Sequence, residues 1–503
     1  MDQLKALIAC LNDTEKLEFK QFLNKKNKRH DVKNIKLLDL LETDDINKLK
    51  KFVSYTNNLD AYHALRKRLT ENILLFISQK TFESKHNETY ELLRFLVVSH
   101  FLFENNLEKM AFKCLEKAEK LAVKLEQYSL LNELLLTKLQ YAHLHPQLDL
   151  EQLTEEFQIN LNNLQREAKM NLAYASIRKE INEINLQGKI INLTDLISQT
   201  IRKFKVATVD FMNYKSLYQI LFIANEYAAI YQNYNLIAPY VRKTYKYIQS
   251  NTDHKEVHIY QHLYILYYLA NFLFRSKDFQ NSLRYLQHMQ ELLADHSSYK
   301  VQFQMRYELL LSLNLYFSGE YEGAISTISK ALSSPLVKNM QDMDDLQLSL
   351  TLFYAQNNQE KALKQLAKFT HTDAWYEKKY GMLWTIRKNL MQILIYLQFE
   401  YTDLANSRIQ SFKRRYQKYL KSTHEHRVMD FLRFIESYSL HPGFILKKEN
   451  QLKVLQMLQV EENQDIFNLS FIAWVMSRWQ NKTSYQITLE LIANIKPDTY
   501  NRN

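Results

Sequence analysis

An all-α chain of stacked helix hairpins is what this sequence predicts, on three observations. The first is the scarcity of Gly and Pro, five of each in 503 residues, where average usage gives roughly 35 and 25. β-Hairpins and phosphate-cradling loops use Gly for positive φ angles. Its scarcity therefore argues for long helices joined by short polar turns. The second is the plentiful Leu, Lys, Gln and Glu, all good helix formers. The third is a plan that occurs twice between Leu266 and Pro335, as LYYLANFLFRSKDFQNSLRYLQHMQELL and ELLLSLNLYFSGEYEGAISTISKALSSP. Each copy reads as a helix, a tight turn and a second helix. Gly319-Glu320-Tyr321 marks one turn and Lys277-Asp278-Phe279 the other. Small residues (Ala324 and Ala331, or Ser282) stand where the two helices must come close. One such unit cannot bury its apolar face alone, whereas stacked units can, and this is the logic of an α-solenoid.

Taken in order, residues 1–88 read as a compact helical bundle outside the repeat. Leu4, Leu7, Ile8 and Leu11 give a first helix. Asn12-Asp13-Thr14-Glu15 starts a second, with Asn12 or Asp13 as its cap. Further helices follow near Val32–Leu41, Asp45–Val53 and from Leu59 onward. From 89 to 440 the pattern becomes paired long helices. Ala111 and Ala118 stand seven apart, as Ala324 and Ala331 do. Tyr234, Phe279, Tyr321, Gln359 and Thr402 are expected at equivalent turn positions, and Ala362 and Ala405 in the later second helices. The spacing is roughly 40 residues, longer than the 34 of a short two-helix repeat. After His441-Pro442-Gly443, residues 441–503 read as helices that cap the open apolar end of the array.

Composition also narrows the function classes. Cys10 and Cys114, the two cysteines, provide neither a disulfide framework nor a thiolate metal site. They suit a reducing compartment, and a cytoplasmic location is expected. The N-terminus lacks the pattern of a secretion signal. HIYQHLYILYYLANFLF, residues 258–274, carries no acid, Lys or Arg. It falls short of the ~20 apolar residues of a membrane span and reads as a buried helix. A net charge of +11 is mild because acids are interspersed throughout. There is no phosphate loop, nucleotide fingerprint or nucleophile elbow. No enzyme activity and no cofactor are expected.

At Glu308–Pro335 the pattern resembles the tetratricopeptide repeat. Ser312, Leu315, Gly319-Glu320-Tyr321, Ala324, Ile328, Ala331 and Pro335 stand where that repeat has its small, aromatic, turn and closing residues. Ala270, Leu273, Lys277-Asp278-Phe279, Ser282, Leu286 and Met289 match in the preceding unit, with Met289 replacing a small residue. The resemblance implies a right-handed solenoid whose first helices line a concave surface, and a scaffold or adaptor that binds a protein or peptide there. In such repeats Asn and basic residues at groove positions hold peptides. Tyr267, Tyr268, Asn271, Phe274, Arg275 and Arg306 are the candidates here. Asn271 and Arg275, four apart, can present an amide and a guanidinium on one helix face. The same aromatics also suit a plain core stripe.

Two other constellations carry alternatives. Lys413, Arg414, Arg415, Lys418 and Lys421 interleave with Tyr416 and Tyr419, and Lys25–His30 is a second basic run. Either fits a regulatory protein that contacts nucleic acid through basic helices while the array senses a partner, or simply a solvated helix face. His254, His258 and His262 share one helix face at a spacing that metals use. No general base completes the motif, so they read as a polar helix face and no metal site is expected.

Overall fold

The structure, a computed structural model, describes residues 3–9, 11–26, 33–43, 59–83, 88–187, 192–206, 214–231, 241, 244, 258–296, 299–334, 340–422, 426–458 and 465–494. Among these residues there are 23 α-helices and no strand. They fall into two compact units, Met1–Leu164 and Gln165–Asn503.

The first unit opens with α1 (Gln3–Ala9), α2 (Asp13–Lys26), α3 (Lys33–Thr43) and α4 (Leu59–Glu83). Asn12 caps α2 in a reciprocal box. Its side chain accepts from the Glu15 backbone N–H, and the Glu15 carboxylate accepts from the Asn12 N–H, both at 2.8 Å. Phe19, Leu23, Leu37, Leu38, Leu69 and Ile73 are fully buried between these helices. The expected helix at Asp45–Val53 lies outside the described residues. A hairpin follows, α5 (Glu88–Glu104) and α6 (Glu108–Lys124), then α7 (Tyr128–Gln140) and α8 (Leu150–Gln187), which continues into the second unit. Ala111 and Ala118, seven apart, are both completely buried where α6 meets its neighbours.

The second unit adds α9 (Leu193–Phe204) and α10 (Tyr214–Tyr231) and then four hairpins. These are α11 (Ile259–Arg275) with α12 (Phe279–Asp295), α13 (Lys300–Phe317) with α14 (Tyr321–Leu332), α15 (Met340–Gln356) with α16 (Lys361–Leu366), and α18 (Met382–Gln398) with α19 (Thr402–Ser422). The short α17 (Asp373–Tyr380) precedes the last hairpin. One turn recurs in all four. Lys277, Gly319, Asn358 and Glu400 each adopt positive φ just past the first helix. The next residue's N–H then reaches back to a carbonyl five residues earlier, as Asp278 does to Leu273 and Glu320 to Leu315. Asn106 makes the same turn in the first unit. Only one of the five is Gly, which is how so many tight turns coexist with five glycines.

Ser282, Ala324, Ala362 and Ala405 open the second helices and are completely buried. The Ser282 hydroxyl even donates to the Ala270 carbonyl of the facing helix, at 2.8 Å. Three of the four lie five residues beyond the positive-φ residue. Ala362 lies four beyond Asn358, so this turn is one residue shorter. Counted back from the buried small residue, Gln359 stands where Phe279 and Tyr321 do; counted on from the positive-φ residue, Glu360 does. Tyr234 lies outside the described residues.

The remaining helices are α20 (His426–Leu440), α21 (Lys448–Met457), α22 (Ile466–Met476) and α23 (Ser484–Asn494). The last two reach well beyond the end of the array that they were expected to cover. Phe467 packs on Phe274 and Phe317. The Tyr485 hydroxyl donates to the Tyr316 carbonyl at 2.9 Å, Gln356 Nε2 donates to Thr488 at 3.0 Å, and Trp474 Nε1 to Gln398 at 2.9 Å. These contacts fall on the first helices of all four hairpins. The cause is readable in α22, IFNLSFIAWVM: it has no charged residue, and buries side chains around its whole circumference.

Candidate functional site

The first helices α11, α13, α15 and α18, with α22, line a cavity of about 230 Å³ that is open on one side. Tyr267, Asn271 and Arg275 line it from α11, four residues apart and so on one helix face. Leu309 and Leu313 enter from α13, Asp345 and Leu348 from α15, Trp384 and Arg387 from α18, and Phe467 and Phe471 from α22. The walls are mainly apolar, with a few polar groups set among them, as binding cavities usually are.

Each polar group has its own circumstances. Asn271 Nδ2 donates to Asn225 Oδ1 of α10 at 3.1 Å, and Asn225 Nδ2 donates to the Leu221 carbonyl at 2.9 Å. Arg275 is committed within the chain. Its Nη1 lies 2.6 Å from Asp465, with both side chains largely buried at 12% and 6% exposure, and its guanidinium sits 4.5 Å from the centre of the Phe467 ring. Asp345 accepts from Trp384 Nε1 at 2.6 Å. Burial pushes its carboxyl up to about 6, Trp384 pulls it down, and Asp342 and Asp344 push it up. Burial also pushes the Tyr267 phenol up to about 12. Arg387 is half-buried and, among the described residues, has no hydrogen bond or ion pair.

The other three groove candidates are not part of this wall. Tyr268 is buried against Tyr218 and Tyr264, and Phe274 is fully buried. Arg306 lies 3.5 Å from Asp342 and donates to the Tyr264 hydroxyl at 3.4 Å.

A second cavity, also of about 230 Å³, lies between α18, α20, α21 and α22. Leu383, Ile386 and Leu390 wall it from α18, and Phe431, Met457 and Ile472 from the others. Arg387 and Phe471 line both cavities. Arg387, Asp345, Trp384 and Phe471 are not among the residues expected from the sequence. A signal for Arg387 existed: it and Lys388 are the only charges in the 17 residues of α18. Lys388 faces elsewhere, 97% buried, with its ammonium 3.0 Å from Asp373.

The basic run on α19 divides in two. Lys413 is ion-paired to Glu436, and Arg415 makes a two-pronged pair with Glu377, both prongs at 2.6 Å. Tyr416 is buried and donates to Glu377 at 2.7 Å. Arg414, Lys418 and Lys421 are exposed. In the N-terminal run, Lys26 donates to Asn72 at 2.8 Å, and residues 27–30 lie outside the described residues. His258 and His262 pack on the Tyr214 ring, and His254 lies outside the described residues. Among the described residues no cluster of three metal-ligating side chains occurs, and no helix is long and apolar enough to cross a membrane. No protein-family profile matches this chain, and no curated protein is similar to it.

Proposed function

We propose that this chain is a non-enzymatic, cytoplasmic scaffold or adaptor, a tetratricopeptide-like solenoid that binds a protein or peptide against its first helices. The observation that carries this reading is the cavity to which four successive first helices each contribute side chains. Alternate helices of a repeat array share one face, and a face built by many helices suits an extended or helical segment better than a small metabolite. The recurring turn about every 40 residues and the buried small residues after it support the repeat itself. The nucleic-acid reading has less support, because internal carboxylates already hold Lys413 and Arg415.

Affinity capture compares the wild type with two variants. Ser349→Trp fills the cavity from α15, and the triple change Arg414→Glu, Lys418→Glu, Lys421→Glu reverses the exposed stripe. A partner lost only with Ser349→Trp supports the groove reading. Loss only with the triple variant, together with nuclease sensitivity, replaces it with the nucleic-acid reading.

A further inference from the structure

Two guanidinium groups line the cavity between the first helices, and among the described residues only one of them has a counter-charge. Arg275 has both an acid and a ring from a single short segment, Asp465-Ile466-Phe467. Arg387 has neither among the described residues. A cation held half out of water between apolar walls pays a desolvation cost, and an arriving carboxylate meets it with a strong, charge-assisted hydrogen bond. The acids nearest in the walls are engaged: Asp345 with Trp384 at 2.6 Å, and Asp430 with Arg433 at 2.8 Å.

The position of Arg387 adds a shape requirement. Along α18, Trp384 and Met391 line the first cavity while Leu383 and Leu390 line the second. The helix is thus a ridge between two apolar hollows, with Arg387 on its crest and facing both. A 150 Å³ apolar cavity accepts benzene, so either hollow, at about 230 Å³, has room for a large apolar side chain.

We propose that Arg387 receives an Asp or Glu side chain of a partner polypeptide whose flanking large apolar residues enter the two cavities. This rests on the peptide-binding reading and specifies the chemistry of the bound segment. The chain's own Asp465 and Phe467, seated on Arg275, are an internal instance of an acid beside an aromatic at an arginine.

A phage-displayed library of random decapeptides, fused through their C-termini so that no free terminal carboxylate is offered, is selected on the full chain. Recovered peptides are expected to carry Asp or Glu flanked by large apolar residues. In fluorescence anisotropy, replacing that acid by its amide should weaken a recovered peptide at least tenfold. Arg387→Met should erase the difference between acid and amide, and Arg387→Lys should keep part of it. Circular dichroism checks that each variant is folded. Leu383→Trp, which fills one hollow without touching the charge, should weaken the acid and amide peptides alike. Recovered peptides with no acidic preference, or an acid–amide difference that survives Arg387→Met, overturn the proposal and leave peptide binding standing. Recovery of no peptides overturns both.

Discussion

Asp465→Asn should loosen the last two helices by about 3 kcal/mol, and the structure separates the parts of that figure. Asp465 does two things: it pairs with Arg275 at 2.6 Å, and its other oxygen accepts from the Phe467 N–H at 3.1 Å, capping α22. Asparagine is an equally good cap, so the substitution removes the charge and keeps the cap. Removing one partner of a buried ion pair costs about 3–5 kcal/mol, because the other is left buried and uncompensated. The Phe467 ring, 4.5 Å from the guanidinium, still offers a cation–π contact, which holds the cost near the lower end. Asp465→Ala should add about 1 kcal/mol through loss of the cap. Native-state hydrogen exchange read by mass spectrometry measures this directly. Peptides from Ile466–Met476 and Ser484–Asn494 should exchange about a hundredfold faster in Asp465→Asn. The double variant Arg275→Met, Asp465→Leu should recover most of that protection, since an apolar pair leaves no stranded charge. Exchange within threefold of wild type in the single variant would refute the reasoning.

Other expectations follow from the same geometry. The Asp345 carboxyl is harder to ionise folded than unfolded, so it removes stability as pH rises through about 6 and returns it on acidification. Asp345→Asn should therefore raise stability at pH 7.5 by about 1–2 kcal/mol, with no gain at pH 4, in urea titrations at both pH values. Glu400→Gly should stabilise by about 0.5–1 kcal/mol, since a side chain at positive φ costs about 1–2 and glycine's extra chain entropy returns part of it; an unchanged melting temperature would count against strain there. Thr488→Val leaves the buried Gln356 amide without its acceptor and should cost about 1–3 kcal/mol by chemical denaturation. Ser282→Ala should cost about 1 kcal/mol through the lost bond to Ala270, and Ser282→Leu clearly more, because the close approach has no room for the larger group.

The helices and most of their turns were legible because both signals are local. Apolar spacing places α11 to α14, and Ala324 and Ala405 mark where second helices pass close to first ones. Glycine was a poor guide to the turns themselves, because Lys277, Asn358 and Glu400 adopt the left-handed conformation without it. The turn at Asn358 is a residue shorter than the others, so no glycine count could have given its length. The site was partly legible: Tyr267, Asn271 and Arg275 share a wall because a four-residue step is a property of one helix. Long-range pairing was invisible. Nothing local to Arg275 announces that Asp465, 190 residues on, will meet it, and without that fact Arg275 reads as available when Arg387 is the one left open.

The placement of α22 and α23 has a consequence for how the protein comes into being. A stack of hairpins joined only to neighbours folds piecemeal and frays from its ends, because each element depends on those adjacent in sequence. Here the bonds from Asp465 to Arg275, Tyr485 to Tyr316 and Thr488 to Gln356 close loops of well over a hundred residues. Such closures are paid for in chain entropy before they are rewarded, and they slow folding. During synthesis, the hairpins from α11 onward emerge with the apolar side chains that α22 later covers still open to solvent. The cavity walled by Tyr267, Leu313 and Trp384 is complete only once the ribosome has passed Phe471 and α22 has docked. Any capacity to bind at that wall is thereby a property of the finished unit, withheld from nascent and truncated chains.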